Sequence, residues 1–404
     1  MVPKGWSSVQ AQDVCKSISV GVVIKPTQYY VPEGYGVKAF RSANVREGFI
    51  NDSDWVYFSH EGHAINKKSH LKTGDVLIVR TGYPGTACVV TPEFEGSNAI
   101  DIVIARPDMD KIIPEYLCAY TNSHIGKSQV LDLQGGMAQK HLNVGAYQVL
   151  KINLPPLREQ KKIAQILLTW DNAISVTEKL LTNSQQQKKA LMQQLLTGKK
   201  RLLDENGVRF SGEWCTCTLS EVAHIIMGSS PKSEAYNDNG LGLPLIQGNA
   251  DIKCRVSCPR VYTSDITKEC TPGDILLSVR APVGTVALSQ HKACIGRGIS
   301  AIKSKKKMSQ SFLYQWFLWF EPKWCYLSQG STFESINSDD IKTLKLSVPN
   351  FEEQQKIAAV LSAADAEIST LEKKLACLRD EKKALMQQLL TGKRRVKVDE
   401  AVAE

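Results

Sequence analysis

Cysteine and histidine are the residues of this chain that could bind a metal ion or act as nucleophiles. The sequence has eleven cysteines and seven histidines, dispersed over 404 residues. Cys215 with Cys217 and Cys254 with Cys258 come nearest to a zinc pattern. Neither pair has the two-residue spacing and the second matched pair that are typical of zinc sites. The pattern therefore favours free thiols in a reduced, cytoplasmic protein, with no metal site.

Sequence motifs for phosphate, nucleotide and acyl chemistry are absent. There is no G-x4-G-K-[ST] loop, no dinucleotide-binding fingerprint and no G-x-S-x-G elbow. Pro155-Pro156 follows a leucine, whereas an amino-methyltransferase motif would place Asn or Asp there. Asp108, Asp110 and Lys111 have the residue types of a nuclease site at the wrong spacing, which a polar turn explains better. We therefore predict a binding protein without catalytic residues or a bound cofactor of its own.

Two aspartates recur in equivalent surroundings, at Gly74-Asp75 and at Gly273-Asp274. Each Gly-Asp pair directly precedes a run of aliphatic residues that is typical of a strand. A carboxylate could hold a metal ion, but Asp at a turn commonly accepts hydrogen bonds from nearby backbone amides. We predict this structural role for both residues.

The elements that must position everything else are two copies of one long helix. The twelve residues KKALMQQLLTGK occur identically at 188–199 and 382–393, and REQKKIA at 158–164 aligns without a gap with EEQQKIA at 352–358. Proline lies at the entrance of each segment and glycine at its exit, as expected of helix ends. The sequence is therefore a duplication of one unit, a variable block followed by a long helix.

Apolar residues recur at spacings of three and four along both helices, a heptad pattern typical of coiled coils. Helices of about 60 Å with one apolar stripe cannot leave that stripe in water, so we predict that the stripes bury each other in an antiparallel pair. The alternative is that each helix packs on its neighbouring block. The predicted seam residues are Ile163, Leu167, Trp170, Ile174, Leu181, Leu191, Leu195, Ile357, Leu361, Ile368, Leu371, Leu375, Leu378, Leu385 and Leu389.

The net charge of +9 is not spread evenly along the chain. Residues 151–201 carry ten basic and three acidic side chains. This excess favours a polyanionic partner, although a solvated helix face would give the same pattern. No apolar run is long enough to cross a membrane, and the first residues lack the apolar core of a signal peptide.

The variable blocks, residues 1–150 and 202–349, differ in sequence but share landmarks. In each block the Gly-Asp pair is followed by a strand, then by an arginine (Arg80 or Arg280), then by a Gly-Thr pair. Short β-branched runs predict strands. Each block is therefore predicted to be a mixed α/β domain of the same fold. Nearly copied helices and divergent blocks together suggest constant connectors and altered recognition surfaces.

Two sequence motifs of this chain resemble those of a known family. The first is REQKKIA at 158–164, which enters a long helix that ends in KALMQQLLTGK, and the second is GDILLSVRAPVG at 273–284. Together they resemble the specificity (S) subunit of Type I restriction-modification enzymes, over essentially the full chain. The first block departs from the second phrase, with Thr81-Gly82-Tyr83-Pro84 between its arginine and its glycine.

The resemblance implies two target-recognition domains, each reading one half of a split, asymmetric site on double-stranded DNA, while the helices fix the length of the unread gap. It implies that two modification (M) subunits dock on the helices and methylate adenine with S-adenosylmethionine. It also implies restriction (R) subunits that translocate and cleave DNA, with ATP and magnesium. The S subunit itself is expected to be non-catalytic.

We therefore predict an α+β fold, with two similar mixed α/β target-recognition domains separated by a two-helix antiparallel coiled coil. The predicted boundaries are 1–153 for the first recognition domain, 154–201 for the first spacer helix, 202–348 for the second recognition domain, 349–396 for the second spacer helix and 397–404 for a C-terminal tail.

Base recognition needs side chains with paired donors or acceptors, or with stacking surfaces. We selected such residues near the predicted strand ends and glycine turns, treating Asn44 and Asn249 as equivalent and Arg80 and Arg280 as equivalent. A structural ion pair is the alternative for both arginines. The candidate DNA-binding residues are Arg41, Asn44, Arg80, Tyr83, Lys140, His141, Gln247, Asn249, Arg280, Arg297, Ser331 and Phe333.

Two other classes of protein remain open at this point. A fused methyltransferase or nuclease would need the catalytic motifs that are missing. A coiled-coil scaffold that binds only proteins would keep the helices but would show no sequence-selective binding to DNA.

Overall fold

The computed structural model describes residues 2–133, 141–324 and 335–398. The chain divides into two compact units, with residues 1–179 and 373–404 in unit 1 and residues 180–372 in unit 2. Each unit thus combines one variable block, the first part of one long helix and the last part of the other. No described helix is both long and apolar enough to cross a membrane.

Unit 1 is built mainly from short strands with small helices between them. Its strands are β1 (Ser7–Gln10), β2 (Cys15–Val20), β3 (Tyr30–Val31), β4 (Gly36–Phe40), β5 (Val45–Arg46), β6 (Phe49–Ile50), β7 (Val56–Ser59), β8 (Val76–Val79), β9 (Ala87–Val89), β10 (Asn98–Ala99), β11 (Ile102–Pro107) and β12 (Lys151–Leu154). Its helices are α1 (Ala11–Val14), α2 (His60–Ile65), α3 (Pro114–Asn122), α4 (His124–Leu133), α5 (Val144–Gln148) and the first part of α6 (Leu157–Leu195).

Unit 2 repeats this composition. Its strands are β13 (Cys215–Thr218), β14 (Ala223–Met227), β15 (Tyr236–Asn237), β16 (Leu243–Ile246), β17 (Ile252–Lys253), β18 (Val256–Ser257), β19 (Val261–Thr263), β20 (Glu269–Cys270), β21 (Ile275–Ser278), β22 (Val286–Leu288), β23 (Ala293–Ile295), β24 (Ile299–Ser304) and β25 (Lys345–Val348). Its described helices are α7 (Leu219–Val222), α8 (Gln310–Phe320), α9 (Ser338–Lys342) and the first part of α10 (Phe351–Leu390).

The sheets of the two units have matching orders. Unit 1 contains the sheets β2-β11-β8-β9 and β10-β4-β7-β3. Unit 2 contains the corresponding orders β14-β24-β21-β22 and β19-β16-β23 within larger sheets. The parallel pair of β10 with β4 in unit 1 recurs in unit 2 as β23 with β16, and unit 2 has a second parallel pair, β18 with β22. The predicted α+β class with two similar domains is confirmed.

A fully buried central strand divides the core of each unit into two layers. Alternate residues of a strand point to opposite faces of the sheet. In β8, Val76 and Ile78 pack in one apolar cluster and Leu77 packs in another. In β21, Ile275 and Leu277 likewise face one cluster while Leu276 faces a second. The consecutive apolar residues at this position therefore reflect burial on both faces.

The two long helices run antiparallel within each unit. Three ion pairs show this in unit 1: Glu159 with Arg395, Asp171 with Lys382 and Glu178 with Arg379. Residue numbers rise along α6 while those of its partners fall. In unit 2, Ser184 and Lys188 of α6 bond to Glu367 and Asp365 of α10. The pairs Asp171–Lys382 and Asp365–Lys188 join residues at the same positions of the two sequence copies.

The apolar stripe of each helix faces inward. Ile163, Leu167, Leu195, Ile357, Leu361, Leu375 and Leu389 are buried. The remaining predicted seam residues are half-buried, namely Trp170, Ile174, Leu181, Leu191, Ile368, Leu371, Leu378 and Leu385. Ile163 and Leu389 also belong to the domain core of unit 1, and Leu195 and Ile357 to that of unit 2. Helix pairing and packing on the neighbouring block therefore occur together.

A buried glutamine anchors the start of each long helix to its domain. Gln160 accepts a hydrogen bond from Ile113 N at 3.0 Å and donates to Pro155 O at 2.9 Å. Gln354 repeats both contacts, accepting from Ser309 N at 2.8 Å and donating to Pro349 O at 2.9 Å. Because an unpaired buried amide is costly, this glutamine fixes where the helix leaves the domain.

Candidate nucleic-acid interface

Three predicted recognition residues of unit 1, Arg41, Arg80 and His141, lie at the end of the sheet where β8 and β10 finish. Ile100 N donates to Phe40 O at 2.8 Å, which brings Arg41 beside the loop after β10. Leu142 N donates to Arg80 O at 2.9 Å, which brings His141 beside the loop after β8. We call residues 22–25, 41, 80–85, 100–101 and 141 the unit 1 rim.

Arg80 is the centre of a buried polar network in the unit 1 rim. It is only 8% exposed. Its Nε donates to Leu142 O at 3.0 Å, its Nη1 to the Asp101 carboxylate and its Nη2 to His141 Nε2. His141 Nδ1 lies 3.1 Å from Thr81 Oγ1. Every nitrogen of the guanidinium is therefore engaged inside the protein.

The corresponding edge of unit 2 presents its cations to solvent. Val279 N donates to Gly298 O at 2.9 Å and Gly296 N to Ile246 O at 2.8 Å, which gathers three loops. Gln247, Arg280 and Arg297 are all exposed on these loops. Arg297 Nε donates to Ser230 Oγ at 2.9 Å. We call residues 229–232, 247–249, 280–283, 296–298 and 335 the unit 2 rim.

Arg80 and Arg280 are not equivalent, which corrects the sequence-based pairing. Gly85 N donates to Val79 O at 3.0 Å, and Gly284 N donates to Ser278 O at 2.8 Å, so Val79 corresponds to Ser278. Arg80 then corresponds to Val279, and Arg280 corresponds to Thr81. A displacement of one residue moves a side chain to the other face of a strand. One arginine is consequently buried and the other exposed.

The pairing of Asn44 with Asn249 is corrected in the same way. Asn44 is fully buried; it accepts from Arg41 N at 3.0 Å and donates to Asn51 O and Ser53 O. In unit 2, Asp251 occupies this place and accepts from Gln247 N at 2.9 Å. Asn44 therefore braces the loop that carries Arg41 and has no free polar atom for a base.

The other half of that pairing, Asn249, is half-buried at the first residue of the short 3₁₀ turn that contains Asp251. Its position on the unit 2 rim keeps it a candidate for DNA contact.

The other candidates of unit 1 differ in their freedom. Arg41 Nη2 is paired with Asp54 Oδ2 at 2.9 Å on the surface. Tyr83 is 84% exposed at the tip of the loop after β8, so its ring is free to stack on a base. Lys140, Ser331 and Phe333 lie outside the described residues.

The aspartates of the two Gly-Asp pairs have the structural role that the sequence predicted. Asp75 accepts from Lys72 N at 2.8 Å and from Arg106 at 2.8 Å and 2.7 Å. The hydrogen bonds to Asp75 raise the pKa of Arg106 above its ordinary value. Asp274 accepts from Thr271 N at 2.7 Å. Within the described ranges, no group of three or more His, Cys, Asp or Glu is placed to hold a metal ion.

Thr81, Asp101 and Ser230 are rim residues that residue type and spacing did not indicate. Counting back from Gly85 and Gly284, rather than from the arginines, would have placed Thr81 opposite Arg280. Asp101 has a φ of 50°, a left-handed conformation that a short polar side chain adopts more readily than most others. Its approach to Arg80 depends on the sheet register, for which the sequence carries no local signal.

Comparisons with known proteins agree with this architecture. A model described as the Type I restriction modification DNA specificity domain matches residues 3–183 and 211–378. The putative type I restriction enzyme MjaX specificity subunit of Methanocaldococcus jannaschii is 32% identical over 425 residues, covering 98% of this chain and 95% of the relative.

Two solved structures extend the likeness. A chain from a study of complex assembly and conformational transition in the type I R-M system matches with a TM-score of 0.61 at 25% identity, covering 98% of this chain and all of that one. The Type I restriction-modification S subunit from M. genitalium matches with a TM-score of 0.63 at 14% identity over 96% of both chains. At that identity the second likeness concerns the fold alone.

Proposed function

The chain belongs to the Type I restriction-modification DNA specificity family, and from this membership we propose that each recognition domain reads one half of a bipartite, asymmetric DNA site. The protein is the specificity subunit of such a system, and it binds DNA within a multisubunit assembly. As a specificity subunit it is non-catalytic.

One observation carries the proposal: two domains of the same topology end in rims with different polar side chains. The unit 1 rim has a buried arginine network with an exposed threonine and tyrosine, whereas the unit 2 rim has exposed Gln247, Arg280 and Arg297. Base edges are discriminated by such donors and acceptors, while a shared backbone positions them. Different side chains on one scaffold are what reading an asymmetric site requires.

The paired helices α6 and α10 set the length of the unread gap and dock the M subunits. Within each unit the antiparallel pairing is held by apolar packing and by one of the repeated Asp–Lys pairs, which supports this spacer role. Two M subunits would then methylate adenine with S-adenosylmethionine. R subunits would cleave DNA with ATP and magnesium, and those cofactors would bind in the partners rather than in this chain.

The experiment that tests this function maps methylated adenines genome-wide in cells that express this chain with its M partner, and in matched cells that lack this chain. The expected result is methylation at one bipartite asymmetric sequence only when the chain is present. Methylation that is absent or identical in both strains contradicts the function. In that case, recovery of the partner subunits with the purified chain would favour a protein-binding scaffold.

Helix length provides a second test. Insertion of seven residues into each long helix, at facing positions, adds about 10 Å, or about three base pairs. Both half-sites should keep their bases while the gap between them lengthens. Insertion into one helix alone is the control, since it breaks the seam and should abolish directed methylation. An unchanged gap would contradict the spacer role.

A further inference from the structure

A continuous chain of polar contacts in unit 1 passes through the buried Arg80 and ends at an exposed hydroxyl. It starts at Asp101, passes through Arg80 and His141, and ends at Thr81. Arg80 is 8% exposed, His141 is half-buried and Thr81 is exposed. Water alone could satisfy the hydroxyl of an exposed threonine. The contact between His141 and Thr81 is therefore not needed for the stability of the fold.

The direction of the hydrogen bonds along this chain is fixed by Arg80. A guanidinium is always protonated and only donates, so His141 Nε2 must accept. The ring then carries its proton on Nδ1, which donates to Thr81 Oγ1 across the 3.1 Å contact. The Thr81 oxygen is engaged as an acceptor, and its own O–H is left free to donate outward.

The backbone holds this hydroxyl in place. Thr81 and His141 face each other across an isolated antiparallel β-bridge. Arg80 also ties the two segments together through its 3.0 Å bond to Leu142 O. Both the position of Thr81 and the role of its oxygen are therefore set before any ligand binds, which lowers the entropic cost of a contact.

We propose that Thr81 is a specificity-determining residue of unit 1 that donates a hydrogen bond to an acceptor on a base edge, with Arg80 and His141 as positioning residues. This inference rests on the proposed function. Acceptors in the major groove are N7 and O6 of guanine, N7 of adenine and O4 of thymine. An amino group such as N4 of cytosine or N6 of adenine would leave the free O–H of Thr81 without an acceptor on the base.

Unit 2 supports the assignment through a different residue. Thr81 corresponds to Arg280, which forms the equivalent isolated β-bridge with Ser335. Arginine is also a pure donor. Val279 and Gly298 of unit 2 correspond to Arg80 and Asp101 of unit 1. Unit 2 therefore lacks the buried arginine that positions the donor in unit 1, and its exposed Arg280 is itself a strong donor. Both domains thus present a donor at one structural position by two different means.

The test compares two variants of Thr81 in cells that express the full chain with its partner subunits. Thr81→Val removes the hydroxyl and keeps the shape, whereas Thr81→Ser keeps the hydroxyl. Thr86→Val, the same change at the other threonine of this loop, is the matched control. Mapping methylated adenines should show that Thr81→Val loses discrimination at one base position of one half-site by about five- to a hundredfold. Thr81→Ser and Thr86→Val should keep it.

Arg80→Met tests the positioning role, because it frees His141 while leaving Thr81 in the chain. It should relax the same base position as Thr81→Val, and Arg80→Lys should restore part of the preference. A merely structural role would instead lower methylation at all sites equally. The assignment is overturned if Thr81→Val keeps the wild-type site, or if Thr81→Ser behaves like Thr81→Val. A wild-type chain that directs no bipartite methylation would overturn the proposed function itself.

Discussion

The two rims use the same strand ends but hold positive charge in opposite ways. In unit 1, Arg80 is buried and bonded to Asp101 and His141. In unit 2, Arg280 and Arg297 are exposed, and neither forms an ion pair within the described part of the chain. A displacement of one residue along equivalent strands accounts for the difference at Arg280. Recognition can therefore change through side-chain placement without a change of fold.

The helix ends show the opposite behaviour, because their contacts are copied pair by pair. Glu159 bonds to Arg395 in unit 1, and Glu353 bonds to Arg201 in unit 2. Burial differs by degree, since the side chains of Arg201 and Glu353 are 20% and 0% exposed while those of Arg395 and Glu159 are 43% and 12% exposed. Contacts that hold the scaffold are thus retained in both copies, and contacts at the rims diverge.

The largest expected effect is at the buried helix-end pair. Arg201→Met leaves the Glu353 carboxylate buried without its bidentate partner, which should lower the free energy of unfolding by about 3–5 kcal/mol. Chemical denaturation of the full chain, followed by circular dichroism, measures this. The double variant Arg201→Met with Glu353→Gln removes the buried charge as well and should recover part of the loss. A cost below about 1 kcal/mol would show that Glu353 is hydrated.

The next largest effect on stability is expected from substitutions of Asn44 and Asp251, the residues that brace equivalent loops in the two units. Asn44→Asp places a carboxylate against Asn51 O and Ser53 O, where the amide now donates, at a cost of about 2–3 kcal/mol. Asp251→Asn should cost less, because its partner Arg260 is largely exposed. Denaturation midpoints of the two variants give the comparison. Equal costs would mean that the two positions are interchangeable.

The exposed arginine of unit 2 should affect recognition rather than stability. Arg280→Ala should reduce discrimination at one base of the half-site read by unit 2, by about 1–3 kcal/mol. The methylated sequences report it, and the half-site read by unit 1 is the internal control. Loss of preference in both half-sites would contradict independent reading by the two rims.

The smallest expected effect is at the helix-end pair of unit 1. Arg395→Met should cost at most about 1 kcal/mol, because Arg395 is 43% exposed and screened by water and Glu159 keeps the hydrogen bond from Trp6 Nε1. The same denaturation experiment measures it beside Arg201→Met. If both variants cost the same, burial does not explain the difference between the two ends.

The sequence predicted the helices well because their signals are local and repeated. Identical ends, glycines with φ of 70° at Gly198 and 69° at Gly392, and the heptad stripe all lie within single segments. The strands β8 and β21 were equally clear, since runs of four and three consecutive apolar residues near glycine turns indicate strands buried on both faces. Such features do not depend on distant parts of the chain.

The rims were harder because residue type alone does not show which loop residues correspond. Arginine lies five residues before glycine in one loop and four before it in the other, so aligning the arginines is misleading, and the hydrogen bonds to Val79 O and Ser278 O support the alignment counted from the glycines. The burial of Asn44 depends on carbonyl groups seven and nine residues away. Residue type suggested the chemistry of these side chains, but tertiary contacts decide which of them face outward.

The junction beside each long helix has an uneven entropic cost. Arg201 lies 5.9 Å from the ring of Trp214 and Arg395 lies 5.7 Å from that of Trp6. The first contact closes a loop of a dozen residues, whereas the second joins segments separated by almost the whole chain. Loop-closure entropy grows with length, so the Trp6 junction has the lower effective concentration. We expect the contact between Arg395 and Trp6 to open first. A protease cut between Arg201 and Trp214 would remove the short loop and should make the contact between those two residues open as readily.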